Sequence, residues 1–335
     1  MQKLSYINLR TTDPSFNLAV EQVVFDSLPK DRSWFMLWQN DNAVIIGKYQ
    51  NTMAEINKAY CDEHGIRVVR RLSGGGAVYH DLGNLNFTFI ADAGDMDSLN
   101  MQLFCLPVVN ALQKLGVAAE ITGRNDIVIA GQKFSGNAQY IRDGRVMHHG
   151  TILFDSDLSV VSSALQVDPS KIIAKGIKSV RSRMTNIRPY LPQDMPLEAF
   201  RASLLQSILT ATPGEEYVLS EADVSAAEEL ARTRYATWEW NYGRSKQCSF
   251  VRSASIPGCG KVEAAIATEH GLITSLTFTG DFFSGRDPEE LARRFCGKTP
   301  DERGFAAALA DEDAGQYFSG LTNEMLLALL TGKGE

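Results

Sequence analysis

The sequence predicts a mixed α/β (α+β) protein built in two units. Three observations predict it: runs with period-two apolar alternation interleave with runs at helical spacing, three consecutive glycines sit between two such strands, and 335 residues exceed one typical domain. The division is expected near residue 245, giving units 1–245 and 246–335.

Taken in order, Asp13-Pro14 reads as a helix cap followed by proline at the first helical position. Phe16, Val20, Val23, Val24 and Leu28 then recur at helical spacing, so a helix is expected over 14–28. Trp34–Trp38 and Ala43–Ile46 read as a pair of strands joined through Gln39–Asn42. Ile66–Arg70 and Leu85–Ile90 are the strands flanking the glycines of Gly74–Gly76. Leu103, Leu106, Val109, Leu112 and Leu115, ending at Gly116, mark a helix whose apolar face is core, with Pro107 kinking it or opening its regular part. Arg142-Asp143-Gly144-Arg145 is the tight turn of a hairpin between 133–141 and 146–154. Helices are expected at 157–166, 196–210 and 221–234, the last capped by Ser220. After Trp238–Gly243, strands at 247–252, 261–268 and 272–278, with helices beyond them, form the smaller unit.

A net charge of −7 lacks the basic footprint of a nucleic-acid binder, and no apolar run approaches a membrane span. The first residues show neither a secretory nor a transit segment, so a cytoplasmic protein is expected. Five separated cysteines without a Cys-x-x-Cys suggest reduced thiols rather than a disulfide framework or zinc site.

The glycines can present bare N–H groups to a ligand, and Arg70 and Arg71 beside them supply charge for a phosphate or carboxylate. Read alone, the loop serves equally as a simple chain reversal. It is not a Walker A loop; Gly297-Lys298-Thr299 has Ala292 where the first glycine should stand, and the spaced glycines of a dinucleotide fingerprint are absent. Three further polar clusters fall on strand ends or turns: Asn125-Asp126, Lys133–Ala138 and His148-His149-Gly150. Neighbouring histidines on a strand point to opposite faces, so they cannot chelate together, and one of them is expected to pack structurally. Lys133 and Asp126, taken singly, read as solvated side chains as readily as functional ones.

Together these segments resemble a lipoate–protein ligase over nearly the whole chain. Arg70-Arg71-Leu72-Ser73-Gly74-Gly75-Gly76-Ala77-Val78-Tyr79-His80-Asp81-Leu82-Gly83-Asn84 is similar to that family's glycine segment. Phe16–Glu21, Gly123–Asp126, Lys133–Ala138, His148–Thr151 and Lys175–Arg183 follow in the family's order. The resemblance implies a biotin/lipoate-ligase-like catalytic domain related to class II tRNA-synthetase cores, followed by a small α+β C-terminal domain. It implies ATP with Mg²⁺ as cofactors and lipoate as co-substrate, activated to lipoyl-AMP and passed to a lysine of lipoyl domains. The implied partners are 2-oxoacid dehydrogenase E2 subunits and the glycine cleavage H protein, with no nucleic acid or membrane.

By this match Lys133 is the catalytic residue. Arg71, Gly76, Ala77, Val78, Tyr79, Asn125, Asp126, Lys133, Lys175 and Lys178 would hold ATP or the adenylate. Arg71, Ser73, Gly75, Lys133, Ala138 and His149 would hold lipoate, and Asp126 the Mg²⁺. Lys175 and Lys178 read as a phosphate-binding flap or a solvated basic loop. Leu18 and Val20 resemble positions near the acyl slot, although core is the simpler reading. The rivals are a cysteine-dependent octanoyl or lipoyl transferase on the same fold, which needs a nucleophilic thiol in the pocket, and a non-catalytic lipoate-binding protein. A biotin ligase would show a Gly-Arg-Gly-Arg loop, which is missing.

Overall fold

Asp13 accepts from the Phe16 amide at 2.9 Å, and Pro14 opens helix α1 (Pro14–Ser27) where its missing N–H costs nothing. In this computed structural model, which describes residues 3–93, 101–123, 125–165, 184–243 and 249–332, α1 packs on one face of an eight-stranded sheet. The strands in chain order are β1 (Lys3–Asn8), β2 (Arg32–Trp38), β3 (Ala43–Ile46), β4 (Arg67–Arg70), β5 (Val78–His80), β6 (Asn84–Asp92), β7 (Glu120–Thr122), β8 (Asp126–Ile129), β9 (Gln132–Arg142), β10 (Arg145–Leu153), β11 (Gly214–Glu216), β12 (Phe250–Ile256), β13 (Gly260–Glu269) and β14 (Leu272–Gly280). The large sheet runs β11-β1-β2-β6-β10-β9-β8-β7.

Its two faces carry separate cores, because alternate residues of each strand point opposite ways. Phe35, Leu37, Leu85 and Phe87 pack under the helices Met101–Lys114 and Leu197–Ala211. Trp34, Met36, Trp38 and Ile90 pack against α1. Each fully buried aromatic contributes about 1.5–3 kcal/mol of transfer free energy. The β9–β10 hairpin forms as expected, with Asp143 and Gly144 both at positive φ in its two-residue turn. Ser220 and Asp223 form a reciprocal capping box on the helix Glu221–Leu230.

Several expectations need correction. Trp34–Trp38 and Ala43–Ile46 lie in strands but do not pair: β2 joins β6, whereas β3 sits between β4 and β5 in a separate three-stranded sheet. An apolar run encodes burial, not a partner. The glycine segment therefore links β4, parallel to β3, with β5, antiparallel to it, crossing the end of β3 instead of closing a hairpin. In the helix Met101–Lys114, Pro107 lies inside, and Leu103 and Leu106 are exposed; Cys105, Val108 and Ala111 turn to the core with Val109 and Leu112. The first strand of the smaller unit spans Phe250–Ile256, running past the expected end at 252, while the expected start at 247 lies outside the described residues. Short strands β1, β7 and β11 had no clear periodicity to announce them.

The C-terminal unit stacks helices Pro288–Phe295, Glu302–Leu309 and Asn323–Thr331 on β12-β13-β14 around Phe278, Phe282, Phe295 and Phe305. It touches the first unit at the glycine loop. The Gly75 amide donates to the Phe282 carbonyl at 3.1 Å, the Gly280 amide to the Tyr49 carbonyl at 2.9 Å, and the Tyr49 and Phe282 rings stack at 4.8 Å. Lys48 pairs with Asp287 at 3.1 Å across the same seam.

Candidate active site

Register across the sheet builds the floor of a cavity. Trp38 on β2 faces Asn86 on β6, which faces Thr151 on β10; the Gly136 amide on β9 donates to the Thr151 hydroxyl at 3.1 Å. The next row on this face is Met36, Thr88, His149 and Ala138. Gly136 and Ala138 keep the floor low at the β9 end. The roof comes from the smaller sheet and its loop: Ile45, Arg71, Gly75 to Val78, and His80. Phe283 of the C-terminal unit closes the wall, in contact with Met101 and Ala138.

At the β9 edge, Lys133 Nζ lies 2.7 Å from Asp126 Oδ1; the contact is an ion pair rather than an aligned hydrogen bond. Both side chains are about one-third exposed, at 37% and 34%. Lys133 curls over Gly136, whose missing side chain leaves it room: a Cβ there would lie 3.1 Å from Nζ. Asn125 lines the cavity and braces the hairpin, its Nδ2 donating to the Asn137 carbonyl at 2.8 Å.

Arg71 is buried, at 6% exposure. Its guanidinium donates to Ser73 Oγ and to the carbonyls of Ile45, Gly74 and Gly76, so it pins the loop while reaching the cavity wall. Burial pushes its pKa down to about 10, partly offset by the Glu21 carboxylate, so it remains charged at neutral pH. Charge compensation runs through a relay: Glu21 Oε1 meets His149 Nδ1 at 2.9 Å, and His149 Nε2 meets Ser73 Oγ at 2.6 Å. Gly75 adopts φ +87, a conformation that strains any L side chain, and a Cβ there would lie 2.8 Å from the Phe283 ring.

The structure brings Arg71, Gly75, Gly76, Ala77, Val78, Asn125, Lys133, Ala138 and His149 to one cavity. Ser73 and Asp126 stand directly behind it, bonded to His149 and Lys133. The Tyr79 side chain turns the other way, onto the cluster of Val44, Ile56 and Cys61, with its hydroxyl on Asn42 Oδ1 at 3.1 Å; strand alternation sends Val78 inward and Tyr79 outward. Only the Tyr79 backbone could serve a ligand. Arg70 also turns away: it binds the carbonyls of Trp240, Gly47, Lys48, Gln50 and Asn241, clamping the helix Trp238–Tyr242 to β4. Lys175 and Lys178 lie outside the described residues.

Sequence reasoning gave no role to Trp38, His80, Asn86 or Phe283. His80 stood inside the glycine segment and could have been found there. Phe283 had no local signal, since it comes from the other unit.

The two histidines of the hairpin separate as strand geometry requires. His148 is buried on the opposite face, between the Phe87 and Phe104 rings, and meets Gln139 and Asn137. Desolvation, with His149 adding to it, pushes its pKa down to about 3. Among the described residues no cysteine lines the cavity. Cys105 Sγ lies 3.8 Å from His148 Nε2 beneath the sheet, and burial raises its pKa to about 12, which leaves an inert thiol.

Residues 13–209 match the lipoyl protein ligase A/B catalytic domain, and residues 245–330 the bacterial lipoate protein ligase C-terminus. Lipoate–protein ligase 1 of Staphylococcus aureus is 42% identical over 97% of this chain and 98% of its own. An archaeal bipartite lipoate protein ligase from Thermoplasma acidophilum, solved in a study with its E2 lipoyl domain, covers 75% of this chain and 100% of its own at 30% identity and TM-score 0.65. A lipoate-protein ligase A bound with ATP covers 72% of this chain and 99% of its own at 28% identity and TM-score 0.61. Fold, cavity and relatives agree: this chain belongs to the lipoate–protein ligase family, in the form that carries the C-terminal domain.

Proposed function

We propose that the cavity performs the ATP-dependent attachment of lipoate to a lysine of a lipoyl domain, in two steps at one site. The observation that carries it is Lys133 with Asp126 at one end of an apolar slot roofed by the glycine loop. In the first step a lipoate carboxylate oxygen attacks the α-phosphorus, the bond to the bridging oxygen breaks, and pyrophosphate leaves. In the second, the acceptor amine attacks the acyl carbon, AMP departs with the anhydride oxygen, and the amine loses its proton.

Both steps gather negative charge on oxygens, and Lys133 is the cation that can reach both without being acylated. Arg71 and the backbone from Gly76 to Tyr79 form the anion-holding wall, and Ser73, Gly75, Ala138 and His149 shape the acyl side. A roof that excludes water also protects the mixed anhydride from hydrolysis. Asp126 fits Mg²⁺ delivered with the nucleotide, because that ion takes one or two carboxylates beside substrate phosphates. The magnesium would neutralise phosphate charge. Support for ATP comes from the ATP-bound relative, and for lipoyl-domain acceptors from the archaeal ligase and its E2 lipoyl domain. The H protein is proposed as a second acceptor on the same chemistry.

We also place the domain division at residue 245, where the C-terminal match begins. Among the described residues no helix is long and apolar enough to cross a membrane, and a cytoplasmic site of action is our reading. Among the described residues the cavity offers no thiol to a cysteine-dependent transferase. The test is transfer of lipoate to a lipoyl domain with and without ATP: transfer should require ATP and survive thiol blocking. Equal transfer without ATP, lost on thiol blocking, would establish the transferase instead.

A further inference from the structure

The end of the cavity away from Lys133 is lined by Leu18, Trp38 and Val78, yet it holds two polar side chains. His80 and Asn86 are 3% and 1% exposed, and among the described residues neither His80 Nε2 nor Asn86 Nδ2 has a hydrogen-bond partner. Both neighbour Trp38: Asn86 is its cross-strand partner, and the His80 ring stands edge-on at 6.4 Å.

The polarity of His80 is fixed from a distance. Asn17 Nδ2 faces the carbonyls of Thr11 and Gln39, which can only accept, so it is a donor, and the Asn40 atom 3.0 Å from it must be the oxygen, sharing one of its two hydrogens. Asn40 must then offer Nδ2 to His80 Nδ1, at 3.1 Å, and the ring proton is left on Nε2. Burial and the nearby Arg71 and His149 hold the ring neutral, with a pKa of about 3. Asn84 Nδ2 donates to Asn86 Oδ1 at 2.9 Å, so Asn86 likewise keeps its amino group free. Two N–H donors therefore stand unanswered in an apolar pocket end, and an unanswered buried donor is costly.

The floor runs across four strands from Trp38 to Gly136, about 14 Å at the usual strand spacing. An acid whose carboxyl group sits by Lys133 places its far end against Trp38. We infer that His80, with Asn86 beside it, donates to a weakly accepting atom at that far end, the dithiolane sulfur, and so selects lipoate over all-carbon acids. This rests on the cavity being the lipoate site. A saturated tail would fill the space and leave both donors unpaired.

The test compares activation of lipoate, octanoate and cyclopentylpentanoate, which keeps the ring and lacks the sulfurs, in the wild type, His80→Leu and His80→Gln. Taking ratios within each variant cancels losses from poorer folding. Removing the donor should lower the kcat/KM ratio of lipoate to cyclopentylpentanoate about fivefold. His80→Gln, which keeps a side-chain N–H, should restore most of it, and KM for ATP should hold in all three proteins. An unchanged ratio in His80→Leu, or a rise in KM for ATP in its place, overturns the assignment and gives the donor to the nucleotide or to the fold. A wild type that activates none of the acids removes the functional reading itself.

Discussion

The two faces of the β9–β10 hairpin each carry a histidine and buried polar groups, and they do different work. On one face Gly136, Ala138, His149 and Thr151 form the cavity floor. On the other the side chains of Ser135, Asn137, Gln139 and His148 are more polar still, and all are buried. His148 and His149 differ by one residue in sequence and by a whole face in space. Residue type alone does not make a site; the side of the sheet that meets the glycine loop does.

The comparison can be tested by substitutions on each side. Lys133→Ala should cost the most, lowering the rate of lipoyl-AMP formation by roughly a hundred- to thousandfold, the usual loss for a charge-stabilising donor. Its melting temperature should stay near wild type, because the side chain is partly exposed. The glycine pair comes next. A Cβ at Gly150 would meet Asn137 Oδ1 at 2.2 Å and Phe87 at 2.5 Å on the far face, so Gly150→Ala should lose about 1–3 kcal/mol of stability by overpacking. Gly136→Ala should leave stability nearly intact and raise KM by displacing Lys133. Equal behaviour of the two glycine variants, in thermal melts and kinetics, would dissolve the distinction between the faces.

How much of this was legible follows the same division. Helix α1, the hairpin and the glycine segment carry local signals: a cap with proline, an Asp-Gly turn, alternation on either side. Lys133, Asp126, Arg71 and His149 were nameable because the family's motifs surround them. Which strands pair was not legible, since β2 and β3 are both apolar and their partners lie far along the chain. Phe283 and the seam with the C-terminal unit depend on tertiary contact between distant residues. The outward direction of the Tyr79 side chain was not legible because the motif was read as a line, whereas a strand alternates.

Two smaller effects sharpen the contrast. His148 has a pKa of about 3 when folded and near its ordinary value when unfolded, so the unfolded chain binds the extra proton. Stability should therefore fall as pH drops below about 6.5 toward 3, by roughly 1.4 kcal/mol per pH unit for that residue. His148→Gln should flatten the slope in denaturant titrations at several pH values, with lipoate KM little changed. Cys105→Ala should do least, leaving ligation within about twofold, since the thiol packs beneath the sheet and gains no role from its histidine neighbour.

The central claim is that Lys133 serves an acyl-adenylate reaction at this cavity. Pyrophosphate release measured with purified full-length chain tests it most directly. The account predicts release only when lipoate and Mg-ATP are both present, and its loss in Lys133→Ala. Release without lipoate, or undiminished release by the folded variant, would contradict it.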